Sequence, residues 1–95
     1  MNIDIEKIEK QINSMGNDAV FADGYDDAVI GIVINDKGLP VVAYSIPKIM
    51  DILMGDDDME YEEAYEWFDF NMLGAYVGTG TPAYLDIQKI IPLKN

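Results

Sequence analysis

Ninety-five residues with 49% hydrophobic and 11% aromatic content supply one hydrophobic core and leave no room for a second, so a single domain over residues 1–95 is expected. Eighteen acids against six lysines, with neither arginine nor histidine, give a net charge of −12; this disfavours direct binding to nucleic-acid phosphates and removes the bidentate anion clamp and the usual neutral-pH proton carrier. The absence of cysteine excludes disulfides and thiolate chemistry, no apolar run approaches the ~20 residues of a membrane-spanning helix, and the first residues carry no signal-peptide pattern. A reducing cytoplasm, without membrane contact, is the expected setting.

Ile5, Ile8, Ile12 and Met15 recur at helical spacing, with Glu6 and Lys10 as a favourable i,i+4 pair on the polar side. Asn2 or Asp4 caps this helix, placed at residues 3–15, and Gly16-Asn17 ends it. The texture then changes to Val, Ile, Phe and Tyr runs. Ala19–Ala22 and Asp27–Ile34 read as a hairpin around Asp23-Gly24-Tyr25-Asp26, and Val41–Tyr44 follows the turn at residues 35–40 as a third antiparallel strand.

Ser45 is placed to cap a second helix, with Pro47 in its first turn and Gly55 at its end. A third helix starts near Tyr61, with Glu62 and Glu63 in the first turn and a core stripe of Tyr61, Ala64, Tyr65, Phe68 and Met72. Gly74, Gly78 and Gly80 disfavour further helix, and Ala83–Ile87 reads as an added strand; the tail after Ile91 is loosely specified. The expected fold class is α+β: three helices and an antiparallel sheet of three to four strands, in the order α-β-β-β-α-α-β.

Few residues carry recognisable chemistry. Asp23, Asp26 and Asp27 are weak candidates for divalent metal, because Asp-Gly is also ordinary turn chemistry and Ala19 and Phe21 occupy positions where a calcium loop needs oxygens. The triplet Asp56-Asp57-Asp58 precedes a helix, where acids are favoured without any ligand. Gly78-Thr79-Gly80-Thr81-Pro82 lacks the following helix of a dinucleotide-binding loop and reads as a tight bend. Ser14 and Ser45 have no histidine to activate them. An enzyme is not expected, and no cofactor is implied.

The acidic helix is the most informative feature. Residues 51–69 hold nine acids and no base. On a helical wheel Glu62, Glu66 and Asp69 form a stripe at about 80–140° from Tyr61, beside the core stripe, and like charges at that spacing cost a few tenths of a kcal/mol each. Phe70 falls near 180°, between Glu63 and Glu66, and Trp67 lies at the border near 240°. An aromatic ringed by acids has the composition of an interface anchor with a charged rim. The competing reading ends the helix near Asp69, caps it with Asn71 and turns Phe70 into the core. Tyr25, at the hairpin tip, is either an exposed contact or packed on a neighbouring strand.

Asp23-Gly24-Tyr25-Asp26-Asp27-Ala28, Gly31, Met59-Glu60-Tyr61-Glu62-Glu63-Ala64, Phe70-Asn71, Gly74-Ala75-Tyr76-Val77-Gly78 and Thr81-Pro82 together resemble a pattern shared by short, uncharacterised acidic proteins of bacteriophages and prophages. The resemblance covers about residues 20–85. It implies a phage product in a bacterial cytoplasm but supplies no activity. Glu60 stands where relatives often have Ser or Thr in a capping box with Glu63, which leaves the helix start open by a residue or two.

The functional expectation is a binding protein in which Glu62, Glu63, Glu66, Trp67, Asp69, Phe70 and Tyr25 engage a basic surface of a host or phage protein. Such a contact can mimic nucleic acid or inhibit a defence or DNA-processing protein. The alternative is a homo-oligomer that binds a small ligand or divalent metal through the Asp23–Asp27 turn.

Overall fold

The computed structural model describes residues 4–87. Asp4 is extended, and its carboxylate accepts the Lys7 N–H at 3.2 Å, which starts α1 (Ile5–Ser14). Ile8 and Ile12 point into the core, and Gly16, at φ +92°, provides the left-handed turn that closes the helix. Asn2 and the tail after Ile91 lie outside the described residues.

β1 (Val29–Ile34) and β2 (Pro40–Ser45) form an antiparallel hairpin, as expected. Its turn is built by Asn35, whose side-chain oxygen accepts the N–H groups of Lys37 at 2.9 Å and Leu39 at 3.0 Å. β2 is buried along its whole length because it is the central strand. On its far side lies β3 (Ala83–Leu85), in register Ala43↔Ala83, Tyr44↔Tyr84 and Ser45↔Leu85.

β3 runs parallel to β2, so the sheet is mixed rather than antiparallel. The connection explains this. The chain leaves β2 through two helices before returning, and such a crossover brings a strand back in the same direction. The α+β class stands, with three α-helices and a three-stranded sheet among the described residues.

The strand expected at Ala19–Ala22 is absent, and with it the hairpin around Asp23–Asp26. The backbone of this segment is satisfied in other ways. The Ala22 N–H donates to the Tyr44 hydroxyl at 2.7 Å, and a 3-10 turn at Asp26–Ala28 leads directly into β1. Buried Asn17 donates to the carbonyls of Pro40 at 2.9 Å and Thr79 at 3.0 Å, and accepts the Thr79 hydroxyl at 3.0 Å. The loop carrying Gly80 lies directly on residues 18–20: a Cβ at Gly80 would overlap the Asp18 carbonyl oxygen and stand 2.8 Å from Val20 Cγ2. Residues 17–22 are thus held by a polar knot and a close backbone contact.

Ser45 caps α2 (Ile46–Asp56): its hydroxyl accepts the Lys48 N–H at 3.3 Å and donates to the Ile87 carbonyl at 3.2 Å. Ile49, Met50 and Leu53 are its buried side. The helix closes with Asp58 in the left-handed region at φ 53°, while the N–H groups of Asp57 and Met59 both reach the Leu53 carbonyl. One member of the acidic triplet therefore terminates a helix. α3 (Tyr61–Phe68) follows and passes without a break into a π-helical turn, Asp69–Leu73. No helix among the described residues is long and apolar enough to cross a membrane.

Candidate functional site

α3 buries Ala64 and Phe68, and the π turn buries Met72. Two members of the expected core stripe depart from it: Tyr61 is 55% and Tyr65 40% exposed. Trp67, expected at the border, packs against the core instead. The buried face is thus rotated by roughly 40° from the expected stripe, away from the tyrosines and toward the indole. An amphipathic phenol can take either side of such a boundary.

Glu62, Glu63, Glu66 and Asp69 are all exposed. The charge imbalance extends beyond them, since residues 49–88 hold ten acids and no base. Phe70, next to Asp69 in the chain, is 86% exposed, the highest value of any large hydrophobic side chain among the described residues. The reading in which the helix breaks at Asp69 and Phe70 enters the core is overturned, because helical backbone continues to Leu73. Asn71 does bond to the helix, donating to the Trp67 carbonyl at 2.9 Å, but it does so from within the π turn. A π turn is an uncommon solution that widens the helix by a residue. Through it Met72 stays in the core and Phe70 outside, as the helical wheel already placed them.

Aromatic contacts fix the α3 surface to the sheet. Tyr44 stacks on Tyr84 at 5.7 Å between centroids, Tyr84 meets Phe68 edge-on at 5.2 Å, Phe68 meets Tyr65 edge-on at 5.9 Å, and Tyr65 lies 6.3 Å from Tyr61. This chain of rings runs from the central strand to solvent. Burial pushes the Tyr44 hydroxyl up to about 12, opposed by the hydrogen bond from the Ala22 N–H. Burial also raises Tyr84 and Tyr25, the latter helped by the nearby charge of Asp57.

Tyr25 does not crown a hairpin. It is half-buried against the core and lines a groove of about 200 Å³ with Phe21, Asn71, Met72 and Tyr84. It therefore flanks the inner side of the π turn, while Phe70 occupies the outer side. The groove is smaller than the usual ~300–1,000 Å³ of a small-molecule site. Asp23, Asp26 and Asp27 are exposed, and among the described residues no group of three acids converges in a metal-holding arrangement.

Sequence reasoning missed Asn17 as the buried hub of the polar knot, and it missed the exposed tyrosine pair. For Asn17 no local signal exists, since its partners are 23 and 62 residues away. For Tyr65 the signal was a hydroxyl at the edge of the stripe next to Asp69; Tyr61, in the middle of the expected stripe, carried only its hydroxyl as a signal.

Fold and surface together define a small α+β protein with a mixed three-stranded sheet and a bare acidic helix carrying an exposed aromatic. No protein-family model, no curated protein and no solved structure matches the chain.

Proposed function

We propose that the protein is a binding module whose α3 surface engages a basic surface on another protein. The observation that carries this reading is Phe70, 86% exposed next to Asp69 and one turn beyond Glu66, on a helix whose Glu62 and Glu63 are also exposed. An apolar ring gains nothing from water, and acids that repel one another along a helix gain nothing from the fold. Both are favourable against a partner that covers the ring and supplies cations to the rim. Trp67 and Tyr25 support the surface from within rather than contacting the partner first.

The resemblance to acidic phage proteins suggests a host or phage protein as the partner, met in a bacterial cytoplasm. A surface built to take phosphates is the one a row of carboxylates fits best, so the proposed action is to occupy the nucleic-acid site of a defence or DNA-processing protein.

The test is affinity against salt for a partner recovered from infected cells. Affinity should fall steeply between about 50 and 500 mM salt, as screening shortens the reach of the charges. Joint replacement Glu62→Gln, Glu66→Gln and Asp69→Asn should weaken binding and flatten the salt dependence. A partner held equally well by that triple variant would remove the proposal.

A further inference from the structure

A second groove, of about 230 Å³, lies between α2 and α3 and is lined by Ile46, Met54, Tyr61, Tyr65, Asp51 and Asp86 among others. Its composition is specific. Two partly exposed phenol rings 6.3 Å apart stand with two exposed carboxylates, beside Ile46, Met50 and Met54. Tyr65 is held from behind by Phe68, so the ring pair is set by the core.

We propose that this groove receives an arginine side chain of the basic partner. The proposal rests on the reading of the protein as a binder of basic surfaces and says where one cation goes. A guanidinium is planar and weakly hydrated; it stacks on aromatic faces and donates two parallel hydrogen bonds to a carboxylate. Aromatic rings and carboxylates line this groove. An anion would be repelled by Asp51 and Asp86, and among the described residues no three metal-ligating side chains converge. Lysine has the charge but neither the plane nor the fork, and it gives up more hydration on entering.

Position supports the same occupant. Tyr65 lies on the wheel next to Asp69, so the groove adjoins the acidic stripe and the two form one surface. A cationic segment drawn in by the stripe has an aromatic slot at its edge.

The experiment is calorimetry of the whole protein with blocked oligoarginine and oligolysine peptides of equal length at low salt. Arginine peptide should bind roughly two- to fivefold more tightly, the preference expected of a cation–π contact at a part-exposed site. Tyr61→Ala and Asp51→Asn should each weaken the arginine peptide more than the lysine peptide and so bring the ratio of the two affinities close to one. Both positions are exposed, and thermal unfolding verifies that each variant is folded. The triple change at Glu62, Glu66 and Asp69 should weaken both peptides and keep the preference. Equal binding of the two peptides, a preference that survives in Tyr61→Ala and Asp51→Asn, or no binding of either peptide would overturn the groove. A triple variant that binds like the wild type, with the preference still lost in Tyr61→Ala, would instead overturn the acidic-stripe reading and leave the groove standing.

Discussion

Phe68 and Phe70 are two residues apart on one continuous run of helical backbone, and they lie in opposite environments. Phe68 is fully buried and meets Tyr84 and Tyr65 edge-on, whereas Phe70 is 86% exposed next to Asp69. A step of two residues turns a helix by about 200°, so one face cannot hold both. The inner face is explained by stability, since it joins α3 to the sheet through rings. The outer face is not, because its acids repel and its ring is unburied. What folding does not explain, an encounter with another molecule can.

The largest effect belongs to the inner face. Phe68→Ala should cost about 3–5 kcal/mol of unfolding free energy, because the vacated space is walled by other rings and cannot easily collapse. Denaturant unfolding measures this directly, and a loss below about 1 kcal/mol would mean that the aromatic chain does not tie α3 to the sheet.

Next comes the polar knot, which has no exposed counterpart. Asn17→Ala removes three hydrogen bonds and strands the buried Pro40 carbonyl without its donor. The expected cost is about 2–3 kcal/mol, more than a surface amide could produce. The same denaturant experiment distinguishes the two cases.

Tyr44 sharpens the comparison through pH. Its hydroxyl is pushed up to about 12 from an ordinary 10.0, chiefly by burial. The folded protein therefore holds this proton after the unfolded chain has lost it. The stabilisation is complete below the unfolded value and drains away as pH rises from about 10 to 12. Tyr44→Phe should lower neutral-pH stability by about 1–2 kcal/mol, because the Ala22 N–H loses its acceptor, and should make the alkaline decline shallower. Tyr25 and Tyr84, shifted in the same direction, keep the decline from vanishing. Thermal melts across pH 9–12 provide the measurement.

How much of this was legible beforehand depended on the range of the interactions. Asp4, Gly16 and Asn35, and Ser45 in its cap bond to Lys48, act within four or five residues of themselves; Gly16, Asn35 and Ser45 were legible as a helix end, a turn and a cap, and Asp4 as one of two candidate caps. The β1–β2 hairpin followed from two apolar runs and one turn. Ala19–Ala22 has the composition of a strand, but what it does is decided by Tyr44 and Gly80, which are 22 or more residues away. The direction of β3 is set by the crossover before it rather than by its three residues. On α3 the periodicity located the acidic face and Phe70 but misjudged the rotation of the core. Period alone cannot tell whether a tyrosine or a tryptophan at the boundary turns inward.

The smallest effect on stability is the most informative about function. Phe70 is exposed, and no core contact is lost when its ring is removed, so Phe70→Ala should change unfolding free energy by less than about 0.5 kcal/mol. The π turn should persist, because Met72 and Asn71 hold it from the other side. Partner affinity should behave differently. A ring seated in a desolvated pocket at the centre of an interface is worth about 2 kcal/mol or more, which is roughly thirtyfold in the dissociation constant. The comparison between the two phenylalanines then becomes a double dissociation: Phe68→Ala costs stability, and Phe70→Ala costs binding in a protein as stable as the wild type. Unfolding and affinity measured on the same preparation of each variant decide it. A Phe70→Ala protein that keeps full affinity would leave the acidic rim without its anchor and reduce the outer face of α3 to a solvated surface.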